Sequence, residues 1–466
     1  MGNNILLTEA NYKDKYPPLG LMKIATYHRL KGDNVIYKRD FLNKDRNYFS
    51  KIYITTRFSF HWKKTEELIK YYQKNYNSEI LVGGIHASIN PEIYKKTFNL
   101  TPVVGSYKGE IDSLIPIIEQ DEILNTILPD FRKYGIDVLP PDYSIFDGQE
   151  LPFNDILRNN YLIRSTKGCT RNCNFCDVNK ICEDYIDRLP IQPIINYIKN
   201  RHEEKKDILF FDDNTLISSN FHKIIEELID VGFYRGAKLS RKIRACDFNQ
   251  GIDLRLLTDE KLQLISSICL KPVRFAFDDI NLSSLFKSKI KKVINSGLRN
   301  ISVYVLYNYN DSPKDFYERL LISVMYNKDY NSRISSFPMK YIPNNQVNRK
   351  YIGRYWTKRK LRGVQCILNG CHGIVPVKYD YFVNAFGEDS STFERIIIMP
   401  EKYIIKRKLN TDKIKQWEKD YNRMTPSTRE AVMSEISANV IYELPNVQSY
   451  DSAGQTFLKH YLNEKY

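Results

Sequence analysis

The chain has 466 residues, 42% hydrophobic and 27% charged, the composition of an ordinary soluble globular protein with room for two or three domains. No run of about twenty apolar residues occurs, which excludes a helical membrane span. The net charge of +15 permits a nucleic-acid partner. However, Lys, Asn, Ile and Tyr are abundant everywhere, and the one dense basic run, TKRKLR at Thr357 to Arg362, reads as a solvated helix face. The N-terminal stretch has no basic region followed by an apolar one, so no secretory signal is expected, and Leu6 argues against myristoylation at Gly2. Scattered single cysteines fit a reducing cytoplasm.

Short apolar runs alternate with helical patterns up to about residue 120. Strands are expected at Asn4 to Thr8, Val35 to Tyr37, Ile52 to Thr55 and Ile80 to Val82. Pro17 and Pro18 should start a helix that Gly32 stops, and a second helix is expected from Glu66 to Tyr76. This alternation predicts a Rossmann-like, doubly wound parallel sheet over residues 1–120. Its last strand ends in Gly83-Gly84, where backbone can approach a ligand closely.

A connector rich in Pro and Asp covers residues 121–154. Strand–helix alternation then resumes over residues 155–345. Strands are expected at Tyr161 to Arg164, Ile208 to Phe211, Gly251 to Leu254, Arg274 to Phe277, Ile301 to Leu306 and Arg333 to Phe337. Six such units predict a partial (β/α)6 barrel of the TIM type, whose chemistry gathers at strand C-termini. The remaining block, 346–466, reads as mainly helical, with an apolar stripe of Trp356, Leu361, Val364, Ile367 and Leu368.

Directly after the first barrel strand stands GCTRNCNFC, with Cys169, Cys173 and Cys176. Three thiols in a polar loop fit core packing poorly, and thiolates are ligands for iron–sulfur clusters or zinc. On zinc, Cys182 would be the fourth ligand, at a gap longer than a zinc knuckle commonly has. On an iron–sulfur cube, one iron would stay open for a substrate. The later strands end in polar groups: Asp212, Asp213 and Asn214; Asp253 and Arg255; Asp278; Asn308. Each alone could be a cap or turn residue, but their shared position suits a zwitterionic, cationic ligand.

The C-x3-C-x2-C spacing with Phe175 before the last Cys resembles the signature of the radical S-adenosylmethionine (SAM) enzymes. That resemblance implies a 4Fe-4S cluster on Cys169, Cys173 and Cys176, with SAM on the open iron. It implies SAM contacts from Phe175, from Asp212, Asp213 and Asn214 in place of the family's Gly-Gly-Glu, and from Asp253, Arg255, Asp278, Asn308 and Ser336. PPLGLMKIATYHRLKGD, LVGGIHASINPE and VVGSYKGEID resemble the N-terminal domain of the cobalamin-binding subfamily, which places Gly83, Gly84 and His86 near that cofactor. The axial-His loop Asp-x-His-x-x-Gly is absent, so a first domain without cobalamin stays open, with His86 a surface or capping residue.

The implied reaction is reductive cleavage of SAM to a 5′-deoxyadenosyl radical, with cobalamin-dependent methyl transfer to an unactivated carbon as its further step. The substrate would be a small molecule, peptide or RNA, the electron donor a flavodoxin or ferredoxin, and no membrane is involved. Two alternatives stay open: a tRNA- or other nucleic-acid-modifying radical SAM enzyme without cobalamin, and a zinc-stapled nucleic-acid-binding protein. Cys366, Cys371, Cys246 and Cys269 are read as structural thiols.

Overall fold

The first four strands carry central residues that are apolar on both faces, the pattern of a parallel sheet covered on two sides. In the computed structural model, which describes residues 2–182, 184–405, 407–438 and 447–462, they are β1 (Asn4–Glu9), β2 (Asn34–Arg39), β3 (Lys51–Thr56) and β4 (Glu79–Gly84). They pair in parallel in the order β2-β1-β3-β4. Helix α1 (Leu19–Leu30) crosses from β1 to β2, and α2 (Trp62–Asn75) from β3 to β4. Leu6, Ile52, Ile54, Leu68, Ile69, Tyr72 and Val82 close the core between the sheet and α2. The chain leaves β1 toward β2 on one side and β3 on the other, so strand order reverses between β1 and β3. Open parallel sheets bind ligands beyond the carboxyl ends of their strands at such a reversal.

Gly84 sits at φ +95°, and a Cβ there would lie 2.4 Å from the Thr56 carbonyl oxygen. The backbone turn into helix α3 (Ile85–Ile89) thus demands glycine with or without a ligand. Helix α4 (Pro91–Phe98) follows.

Six of the eight later strands among the described residues form two three-stranded sheets, and no closed barrel is present among those residues. One comprises β5 (Asn160–Ile163), β6 (Asp207–Phe210) and β9 (Cys246–Phe248), all parallel; a short antiparallel hairpin, β7 (Lys238–Leu239) with β8 (Lys242–Ile243), precedes β9. The other has the order β10 (Val273–Ala276), β11 (Asn300–Tyr307) and β12 (Arg333–Lys340), with β11 and β12 parallel. The strand expected at Gly251 to Leu254 is not one. Gly251 turns at φ +92°, and the Asp253 carboxylate accepts the Arg255 amide at 3.0 Å, bending Leu254–Leu256 into a 3-10 turn. The pairing strand lies earlier, where Cys246 and Phe248 are buried on either side of Asp247.

Two compact units result. One comprises 1–274 with 343–349, and the other 275–342 with 350–466. The division passes through the span 155–345 expected as one domain. In the first unit, Asn344 returns to bond Asp177 and accepts from Asn90 at 2.8 Å, while Arg349 lies 4.2 Å over the Phe60 ring.

The second unit is mainly helical beyond residue 350, including helices Lys358–Gly370, Thr411–Arg423 and Pro426–Ala438. The stripe of Trp356, Leu361, Val364, Ile367 and Leu368 is buried. TKRKLR departs from the expected solvated face. Arg359 is buried, donating to the carbonyls of Ile398 at 3.2 Å and Met399 at 2.9 Å, and Arg362 pairs with Glu401 at 2.8 Å. The helix can run so close to that chain because Gly363 has no Cβ; one would lie 2.0 Å from the Ile397 oxygen.

Candidate active site

The cysteine loop is anchored from below by acids at the end of β6. Asp212 is buried and its four bonds all hold the start of the loop or its own turn. Oδ1 accepts from the Ser165 amide (2.6 Å) and the Thr166 amide (2.8 Å); Oδ2 accepts from the Ser165 hydroxyl (2.7 Å) and Thr215 (3.2 Å). Burial pushes its carboxyl up to about 6. Asp213 accepts the Gly168 amide at 2.9 Å and the Cys182 thiol at 3.7 Å. Burial, then Asp213, push Cys182 up to about 11, so it faces a carboxylate as a neutral thiol.

Asn214 donates to Cys169 Sγ at 3.6 Å, and the Arg171 amide does so at 3.4 Å. The Asn214 Oδ1 atom is buried without a hydrogen-bond partner. Asp253 binds Arg255 through two bonds, at 2.7 and 2.9 Å, and pairs with Arg171 inside the loop at 2.8 Å. Burial works against the Asp253 charge, but Arg255 outweighs it and holds the carboxyl below its ordinary value. Arg255 in turn interacts with Cys173. Cys169 and Cys173 are half-buried, as is Phe175, and Cys176 is exposed. Among the described residues no three His, Cys, Asp or Glu side chains converge on a single metal-ion position. The donor set nevertheless fits an iron–sulfur cluster: three thiols on one loop, N–H groups aimed at Cys169, and a guanidinium beside Cys173 to offset thiolate charge.

Beyond the carboxyl ends of β3 and β4, at the reversal between β1 and β3, lies a cavity of about 660 Å3. This is within the size range of ligand sites. Its wall is largely apolar (Leu21, Ile24, Ile54, Leu81, Val103, Ile136), with aromatic Tyr16, Phe58 and Tyr107 and the turn Gly83-Gly84. Such a wall fits a large, mainly apolar cofactor whose polar groups lie at its edges.

His86 is not in this wall. It is buried behind it, its Nδ1 2.6 Å from the Tyr94 hydroxyl and its ring beside Trp62. Burial pushes it down to about 4, so it is a neutral core histidine rather than a surface or capping one.

Polar residues that motif reading missed line the cavity floor. Lys23 donates to the Asp137 carbonyl, and burial pushes its ammonium down to about 8. Arg164 donates to the Phe211 carbonyl at 3.1 Å and lies 3.8 Å from Asp213. Ser106 and Asp137 also line it, and both bind Lys167, at 2.7 and 2.8 Å.

The second unit holds Asp278, Asn308 and Ser336. Asp278 accepts the Leu306 amide at 3.0 Å. Asn308, at φ +69°, donates to the carbonyls of Tyr341 (3.0 Å) and Tyr351 (3.3 Å) and accepts from Gly353 (2.7 Å), a chain clamp with its side chain spent. Ser336 Oγ is buried without a hydrogen-bond partner.

Comparison with solved structures finds the radical S-adenosylmethionine methyltransferase TsrM from Kitasatospora setae, with tryptophan substrate and a SAM analog (aza-SAM) bound. The TM-score is 0.50 at 12% identity, over 72% of this chain and 73% of that one. The chain resembles this enzyme in fold. A second structure of TsrM, with cobalamin and a [4Fe-4S] cluster bound, aligns with a TM-score of 0.49 at 13% identity, over 73% of this chain and 75% of that one. No family model matches the chain, and no curated protein does. No helix among the described residues is long and apolar enough to cross a membrane.

Proposed function

We infer that the chain is a radical SAM enzyme carrying a 4Fe-4S cluster on Cys169, Cys173 and Cys176, and that cobalamin occupies the cavity for methyl transfer to an unactivated carbon. The observation that carries this reading is the position of the thiol loop. It follows β5, is gripped by the acids ending β6, and both its ends join the wall of a cavity at the sheet reversal. The fold likeness to TsrM supports it.

When bound, the cluster supplies the electron that splits SAM to a 5′-deoxyadenosyl radical, and cobalamin supplies the methyl group. The protein's own residues bind and orient. Asp212 and Asp213 fix the entry of the loop, so they act on SAM through the loop rather than by direct contact. Asn214 keeps one oxygen open beside Cys169, a ready acceptor for the ammonium of SAM. Arg171, Asp253 and Arg255 form a charged brace from the loop to the turn after β9. The apolar cavity wall excludes water from a reactive centre.

The test is anaerobic purification with cobalamin supplied, followed by reconstitution with iron and sulfide. The reading expects about four irons per cluster, cobalt near one per chain, and reductive formation of 5′-deoxyadenosine that Cys173→Ala abolishes. Zinc without iron, or no 5′-deoxyadenosine under strong reductant, would remove it.

A further inference from the structure

The cysteine loop enters and leaves through the wall of the cavity. On the entry side Lys167, two positions before Cys169, has its backbone paired in both directions with Ile186, at 3.0 and 2.9 Å. Its side chain, almost wholly buried, reaches Ser106 Oγ and Asp137 Oδ2, both of them wall residues. On the exit side the helix Val178–Ile181 ends at Ile181, itself in the wall. Ile181 lies against Gly105, where a Cβ would come within 3.3 Å of the Ile181 oxygen, and the Gly105 amide is held by Ser88 at 3.0 Å.

We propose that Lys167 is a positioning residue that couples occupancy of the cavity to ordering of the cysteine loop, so that cobalamin and the iron–sulfur cluster each strengthen binding of the other. The proposal rests on the cofactor reading above. Anything filling the cavity presses on Val103, Gly105, Ser106 and Asp137, and two of these hold the Lys167 ammonium. A cluster, conversely, fixes Cys169 and through Gly168 the backbone of Lys167. A buried ion pair has few alternative arrangements, because separating Lys167 from Asp137 gives up their attraction while both charges stay out of water. The two sites therefore share one element that both bias, which is the physical requirement for linkage.

The test measures hydroxocobalamin affinity by absorbance titration of the full-length protein, with and without its reconstituted cluster. The ratio of the two affinities reads the coupling directly. For the wild type the expected ratio is about fivefold or more in favour of the cluster-loaded form. Lys167→Met should bring the ratio to about one while circular dichroism stays native, and Lys167→Arg should restore most of it. Ser106→Ala keeps both charges of the ion pair but removes the hydroxyl that contacts Lys167 and Asp137 Oδ1, so it should give an intermediate ratio and covers the case in which Lys167→Met fails to fold. A wild-type ratio of one, or a wild-type ratio retained in Lys167→Met or Ser106→Ala, overturns the coupling and leaves the cofactor reading standing. No cobalamin binding by either form overturns both.

Discussion

Asp212 grips Ser165 twice, accepting its amide on one carboxylate oxygen at 2.6 Å and its hydroxyl on the other at 2.7 Å. The acid that ends β6 is therefore the bolt between that strand and the loop that follows β5. Asp212→Ala would leave the amides of Ser165 and Thr166 buried and unsatisfied, at about 1–3 kcal/mol each. The expected result is a fall in the urea midpoint of the apo-protein with no change in slope.

The same carboxyl gives a pH signature. Burial holds it at about 6 in the folded chain, against roughly 3.9 when unfolded. The folded state binds the proton more tightly, so this contribution to stability is whole below about pH 4 and lost as pH rises through about 6. Asp212→Asn cannot ionise and lacks that dependence. Between pH 4 and pH 7 the wild-type urea midpoint should fall relative to that of the variant; parallel curves would contradict the burial argument.

His86 has the opposite sign. Burial holds it at about 4, below its ordinary value of 6.5, so its contribution is present above about pH 6.5 and lost as pH falls through about 4. Because it lies behind the cavity wall, His86→Phe should leave hydroxocobalamin affinity within about twofold of wild type, a negligible energy. A tenfold loss in an absorbance titration would show that the ring reaches the cofactor.

Cys182 discriminates the loop's own thiols from its neighbours. Its thiol donates to Asp213 and stays protonated. Cys182→Ala should keep the wild-type iron content after reconstitution, whereas Cys169→Ala, Cys173→Ala and Cys176→Ala each lose it. Iron and sulfide assays on the four variants decide this.

Arg359 separates charge from stability in the basic run. Two carbonyls take its guanidinium inside the second unit. Arg359→Met should cost about 3 kcal/mol, from two hydrogen bonds to a charged donor, and lower Tm. It should leave any salt-dependent RNA binding unaltered in a filter assay. Substituting Lys360, whose side chain bears no such bonds, should show the reverse pattern if RNA is bound at all.

Periodicity carried most of the architecture. The strands of the first sheet and five of the six later ones lie where apolar runs placed them, because strand cores need contiguous burial that side-chain type alone reveals. The failure at Gly251 to Leu254 has a local cause: an Asp side chain capping the turn imitates the polar end of a strand. The thiol loop was legible from spacing. The roles given to Asp212, Asp213 and Asn308 were not, since their partners are backbone groups of distant segments, and amides look alike in every residue. The floor of the cavity was hidden for a related reason. Lys23, Ser106, Asp137 and Arg164 come from separate stretches and form no motif, and only the folded chain makes them neighbours.

The return of residues 343–349 to the first unit bears on how the protein can be dissected. A fragment cut after Arg274 would lack Asn344, the residue that holds both Asn90 and the Asp177 next to Cys176. One cut therefore cannot part the units cleanly, because any fragment holding all of the first unit also carries residues 275–342 of the second. One unit is interrupted in sequence by the other, so the cysteine loop reaches its finished surroundings only once residues 343–349 have been synthesised.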